Sequence, residues 1–225
     1  MTLDDVSDEG SPVRVSGTIS LQDESSQKMR YTYRTEGELQ NLSNKDVLLT
    51  VIDFEASGVN AHKLHHTYLV DRFFSSGALQ PGKTERIMSS SISLGIPLIN
   101  GQPVPEEIDP EEVPAATAEV LFVQFADGST WGDPEEGSRS LSERRDALNE
   151  LRRLEQVLNE HGSDTFITEF GTSSASLRFT AINALESACE RKPISCIVDG
   201  FRSMLKTATQ NQARMNDSQD ASASQ

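Results

Sequence analysis

Apolar and polar positions alternate from Val13 onward. Val13, Val15, Ile19 and Leu21 share one parity, and Arg14, Ser16 and Thr18 occupy the other. A period of two is the mark of a strand with one buried face. Polar residues Gln22–Gln27 follow as a turn, and Met29, Tyr31 and Tyr33 resume the alternation before Gly37-Glu38-Leu39. The turn triplet Asn44-Lys45-Asp46 leads into the apolar run Val47–Phe54. A fourth strand is expected within Thr67–Phe74, and Pro81-Gly82 is a turn before a fifth that starts in Thr84–Ser90. The stretch Gly95–Ala115 holds Pro97, Pro103, Pro105, Pro110 and Pro114 and reads as a long loop, because proline cannot donate to a central ladder. Ala118–Phe125 and Ser129–Trp131 flank Asp127-Gly128, a pair suited to the positive φ angles of a two-residue type I′ hairpin. That loop length would place Thr130 opposite Phe125.

Two of these strands do not alternate. Val47–Phe54 and Val120–Phe125 are apolar on both parities, whereas a strand with one solvated face alternates. The C-terminal third is the expected cover. There Ser140-Leu141-Ser142-Glu143 fits a capping box. Ala147, Leu151, Leu154 and Leu158 then recur on one helix face, and Gly162 is a stop signal. A second helix is predicted over about 174–189, with Leu177, Ala181, Leu185 and Ala188 inward, ended by Pro193. A third carries Ile197, Phe201, Leu205 and Ala208 on one stripe. The fold class expected is mainly β with a helical C-terminus: an immunoglobulin-like antiparallel β-sandwich over 12–133, with about three helices in 138–209 packed on one of its faces. Residues 1–11 and 210–225 read as disordered polar tails.

Composition narrows the function classes. The formal charge of −15 without a Lys/Arg cluster argues against nucleic acid. Acidic residues gather in Asp4–Glu9, Glu106–Glu112 and Asp133–Glu136, which suits solvated loops, a basic partner or calcium. No apolar run approaches the roughly 20 residues of a membrane helix, so membrane insertion is not expected. The acidic start lacks the basic, then apolar, character of a signal peptide. This points to the cytoplasm if the chain is complete, and to a periplasmic or secreted protein if a leader has been removed. Cys189 and Cys196 flank Pro193. They suit either a disulfide across a helical corner or two packed free thiols.

Candidate chemistry is sparse. His62, His65 and His66 lie close together with Asp71 beyond, a density that could serve zinc or copper. On an extended strand, however, His62 and His65 face opposite ways, as do His65 and His66, so a polar turn leading into a strand is the preferred reading and no metal or other cofactor is expected. Gly171-Thr172-Ser173-Ser174 precedes a predicted helix and offers N–H groups to an anion, but it lacks the ending of a phosphate loop and reads equally as an N-cap. Carboxylate pairs Glu106/Glu107 and Glu135/Glu136 sit in polar surroundings with nothing to shift them toward acid–base work. Asn41-Leu42-Ser43 and Asn216-Asp217-Ser218 match the glycosylation pattern. Trp131 reads as a packing anchor.

The run Gly37-Glu38-Leu39-Gln40-Asn41-Leu42-Ser43-Asn44-Lys45-Asp46-Val47, with Leu79-Gln80-Pro81-Gly82-Lys83-Thr84 and Phe125-Ala126-Asp127-Gly128-Ser129-Thr130-Trp131-Gly132, resembles the FxLYD-like immunoglobulin modules of uncharacterised bacterial envelope proteins. The shared motifs are turns and strand ends. The resemblance therefore implies a fold and an exported location and carries no catalytic residue. The chain departs from that module after Phe54, where the histidine-rich stretch replaces an Asp-x-x-Gly turn. The function expected is a non-enzymatic protein-interaction or envelope-associated domain whose partner is another protein. The alternative is a hydrolase or metal-dependent enzyme with its site between sandwich and helices.

Overall fold

The computed structural model describes residues 1–23, 30–59, 62–75, 77–94, 98–99, 102–103, 115–172, 185, 188–190 and 193–223. The strands are β1 (Asp4–Asp5), β2 (Val13–Asp23), β3 (Arg30–Asn41), β4 (Val47–Val59), β5 (His62–Asp71), β6 (Thr84–Leu94), β7 (Leu98–Ile99), β8 (Gln102–Pro103), β9 (Ala115–Phe125) and β10 (Thr130–Gly132). The helices are α1 (Pro134–Thr172) and α2 (Ile194–Ala223). The chain is thus mainly β with a helical C-terminus. It divides into two compact units: Met1–Val70 with Leu79–Val123, and Asp71–Ala78 with Gln124–Gln225. The boundary expected near residue 133 therefore lies earlier, and the second unit takes a short segment out of the middle of the strand region.

The first unit holds a three-stranded antiparallel sheet in the order β2-β3-β6 and a sheet in the order β1-β9-β4-β5. Val13, Val15 and Ile19 of β2 are buried, as are Leu39 of β3 and Ile87 of β6, in keeping with the alternation. Gly17 stands opposite Gly37 in the register. A Cβ on Gly17 would lie 2.3 Å from the Glu36 carbonyl oxygen, so only glycine admits this approach of two strands. In β4, Val47 to Ile52 are buried on both parities, and alternation begins at Asp53. β5 starts at His62 and includes all three clustered histidines, so they are on a strand and not in a turn. Of the proline-rich stretch only the two-residue strands β7 and β8 are described, and they pair with each other.

The acidic N-terminus is ordered, against expectation. β1 pairs parallel with β9 through Asp4↔Thr117 and Asp5↔Ala118, and Leu3 N donates to Gly17 O at 2.9 Å. Asp5 Oδ2 accepts the Val15 amide at 2.9 Å, while Asp5 Oδ1 accepts from Ser7 N and Oγ. Ser7 Oγ in turn accepts the Val120 amide at 2.8 Å. The polar residues that suggested a tail are acceptors for strand N–H groups that would otherwise lack partners, and buried amides require such partners. The Asn41-x-Ser43 motif does similar work. Asn41 is buried; its Nδ2 donates to Lys45 O and Leu79 O, and its Oδ1 accepts from Ser43 N and Oγ. With both ends of its amide engaged, Asn41 is a turn lock and not a glycan acceptor.

In the second unit the hairpin uses a longer loop than expected. Gly128 N donates to Phe125 O and Phe125 N to Ser129 O, with Gly128 at φ 83°. This is a three-residue loop whose last residue is left-handed. Ser129, not Thr130, therefore faces Phe125. Asp127 Oδ1 accepts from Ser129 N and Oγ, a local competition that the Asp-Gly rule ignores. The helix α1 starts at Pro134, six residues before the capping box, because Asp133 caps it through Glu135 N at 2.7 Å and proline suits the first helical position. Gly162 does not end the helix; at φ 81° and ψ 179° it kinks it, and helix resumes to Thr172. The expected stripe Ala147, Leu151, Leu154 and Leu158 is buried, joined by Phe166 and Phe170 beyond the kink. The rings of Phe166 and Phe201 lie 4.8 Å apart, tying the end of α1 to α2. α2 runs to Ala223, through the stretch expected to be disordered, and buries Asn211 and Met215 there. The helix predicted over 174–189 lies largely outside the described residues; of the four side chains expected inward, Leu185 is half-buried and Ala188 is exposed, the buried position beside it being the disulfide-bonded Cys189. A disulfide joins Cys189 to Cys196, with 5.7 Å between their Cα atoms. Among the described residues no helix is long and apolar enough to cross a membrane.

Candidate functional site

The most enclosed chemistry is in the second unit, around Arg144. β5 ends at Asp71, inside the Thr67–Phe74 stretch expected to hold a strand, and the chain then leaves the sheet. Asp71 Oδ1 accepts the Phe73 amide at 2.9 Å, which turns the backbone. The Arg144 guanidinium meets both oxygens of that carboxylate, Nε on Oδ2 and Nη2 on Oδ1, each at 2.9 Å. Both side chains are only 5% exposed. Arg144 Nη1 also donates to Gln124 Oε1, and its Cζ sits 4.7 Å from the centroid of the Phe73 ring. From α2, Asn211 Nδ2 donates to Phe73 O at 2.9 Å. Asp71, Phe73 and Gln124 thus meet α1 and α2 around one buried charge. An unpaired guanidinium could not be buried at tolerable cost, and the two-pronged carboxylate offsets part of that cost.

Beside this pair is a cavity of about 300 Å³, lined by Phe73, Leu141, Leu148 and Met215, with Gln124, Arg144, Arg145, Gln212 and Asn216 supplying polar edges. The size matches the lower end of ligand pockets. Gln212 Nε2 donates to Asn216 Oδ1 at 3.0 Å on the exposed turn of α2. None of these residues is a histidine, cysteine or serine nucleophile, and of the two arginines in the lining Arg144 is engaged by Asp71. The site is arranged to hold an apolar group and to satisfy a few hydrogen bonds around it.

Of the clustered histidines, His65 and His66 are on opposite faces of β5. His66 Nε2 is 3.1 Å from Ser89 Oγ on β6, and Tyr68 Oη donates to Met88 O at 3.0 Å, so this parity of β5 is turned toward the other sheet. Burial lowers the His66 pKa below its ordinary value, with Asp53 opposing and the His65 charge adding to the effect. His65 is on the opposite face, 68% exposed, with Nε2 2.9 Å from Asp53 Oδ2. The side chain of His62 lies outside what is described. Sequence reading missed the partner of His65, Asp53 on the neighbouring strand β4, and the nearby Glu55 on the same strand. The only signal available was that both break the apolar run of that strand on one parity.

Gly171 and Thr172 close α1, while Ser173, Ser174, Glu106 and Glu107 lie outside the described residues. Glu135 and Glu136 are in the first turn of α1, where acid suits the helix dipole, and Glu136 pairs with Arg139. Arg153 binds Glu150 and Glu169, one on each side of the Gly162 kink, and these half-buried carboxylates hold its pKa above the ordinary value. Trp131 is half-buried on β10. No known family model matches the sequence, and no curated protein matches it.

Proposed function

We propose that this protein is a non-enzymatic interaction module that holds a segment of another protein by inserting an apolar side chain into the cavity between α1, α2 and the 71–78 segment. The observation that carries the reading is the lining: the apolar side chains of Phe73, Leu141, Leu148 and Met215 beside three amides, Arg145, and an arginine already paired with Asp71. Such a site offers burial of about 25 cal/mol per Å² of apolar surface, with hydrogen bonds to a peptide backbone at its edge, and no group free to take a proton. The strand part is read as an immunoglobulin-like sandwich, supported by the His66–Ser89 and Tyr68–Met88 bonds from one sheet to the other. An envelope setting fits the disulfide, since such bonds persist in oxidising compartments. A metal-dependent enzyme is the second reading, favoured by the donor group around His65.

The test is selection of binders from a displayed library of random peptides on the full chain. Selected peptides should share an aliphatic or aromatic anchor. They should lose at least about tenfold in affinity, roughly 1.4 kcal/mol, against Leu148→Trp, which fills the cavity. The rim variant Gln212→Lys guards against misfolding of the first and should also weaken binding. Peptides indifferent to both variants would refute the site, and metal-stimulated ester or phosphoester turnover would favour the second reading.

A further inference from the structure

On the outward parity of β4 and β5, Asp53, Glu55 and His65 each present one donor atom, and these atoms all lie within 4.8 Å of one another. We propose that they form a binding site for a divalent transition cation of the zinc class.

Three features carry the assignment. The first is frame. Asp53 and Glu55 are two residues apart on one strand and share a face, and His65 comes from the strand beside it. The backbone ladder fixes the positions of all three, so binding needs only side-chain rotation. Donors at zinc bond lengths of about 2.0–2.2 Å lie roughly 3.4 Å apart in a tetrahedron. His65 Nε2 and Asp53 Oδ2 are already 2.9 Å apart, and the exposed Glu55 has freedom to close.

The second feature is charge. Two carboxylates and a neutral imidazole carry −2, which a divalent cation cancels. Binding places the cation between His65 Nε2 and Asp53 Oδ2, which are already in contact. The third is support. Asp53 is only 12% exposed, and Thr67 Oγ1 lies 3.4 Å from its other oxygen, Oδ1, which orients the carboxylate as ligand-positioning groups do. Mixed nitrogen and oxygen donors select zinc, nickel or copper over magnesium and calcium, which prefer all-oxygen shells. Three protein ligands leave a coordination position for water. The site is independent of the proposed peptide cavity, which is in the other unit.

Isothermal titration of the tag-free full chain with zinc chloride, and with cobalt chloride as a spectroscopic probe, tests the proposal. One equivalent should bind, and cobalt should give the visible bands of a low-coordinate ion. His65→Ala, at an exposed position that tolerates it, should weaken binding by at least about tenfold and abolish the bands. Asp53→Asn and Glu55→Gln should each weaken it, while His66→Ala should retain it. Absence of zinc binding to the unaltered chain, or binding unchanged in His65→Ala, would overturn the site. Equal competition by calcium would overturn the assigned class.

Discussion

Arg144 shows how much one residue organises here. It is a charged position on a predicted helix, and nothing in its local sequence distinguishes it from Arg145 next to it. Its partner Asp71 is 73 residues away in the chain. Breaking a buried pair leaves an uncompensated charge, so Arg144→Met and Asp71→Leu should each cost about 3–5 kcal/mol. The double variant removes both charges together and should cost markedly less than the sum, a coupling of order 1–3 kcal/mol. Urea unfolding of the four proteins measures the cycle; strict additivity would mean the pair contributes nothing as a pair. Asn41 teaches the same lesson in reverse. Its motif was visible in sequence as a glycosylation pattern at a strand end, but the two carbonyls it binds, on Lys45 and Leu79, lie in separate segments of the chain.

At the scale of elements, the chain ends matter more than their composition suggests. Low hydrophobicity marked residues 1–11 and 210–225 as tails. The first segment is nonetheless stitched by Asp5 and Ser7 to the amides of Val15 and Val120. The second extends α2 and buries Asn211 and Met215. Both are polar segments that gain order by hydrogen bonds and by a few apolar contacts, which no averaged hydropathy registers. Deleting residues 1–11 should therefore lower the unfolding midpoint, as should deleting 210–225. Each deletion removes at least one buried hydrogen-bonded group, at a cost of about 1–3 kcal/mol. Thermal melts followed by circular dichroism check this, and unchanged midpoints would restore the tail reading. The Cys189–Cys196 bridge closes so short a loop that replacing both cysteines by serine should cost at most about 2–3 kcal/mol and leave the helical signal intact.

For the whole molecule, the chain passes between its two compact units three times, at 70–71, 78–79 and 123–124. No single cut separates them. A fragment ending at 133 would keep Phe73 and Phe74, both buried, while losing α1 and α2, which supply the Arg144 and Asn211 contacts to Phe73. It should aggregate on size-exclusion chromatography, and Phe73→Ser with Phe74→Ser should make it more soluble; a monodisperse unaltered fragment would refute this. The sequence by itself determined the strands with clear alternation, the buried stripes of α1 and α2 and the turn at Pro81-Gly82, because each depends on residues a few positions apart and on a fixed local period. Tertiary structure alone decided which acids meet which bases. Asp71 with Arg144, Asp53 with His65 and Asn41 with Leu79 are pairings between distant segments. Their geometry is set by sheet register and chain return, which a local pattern of polar and apolar residues does not encode.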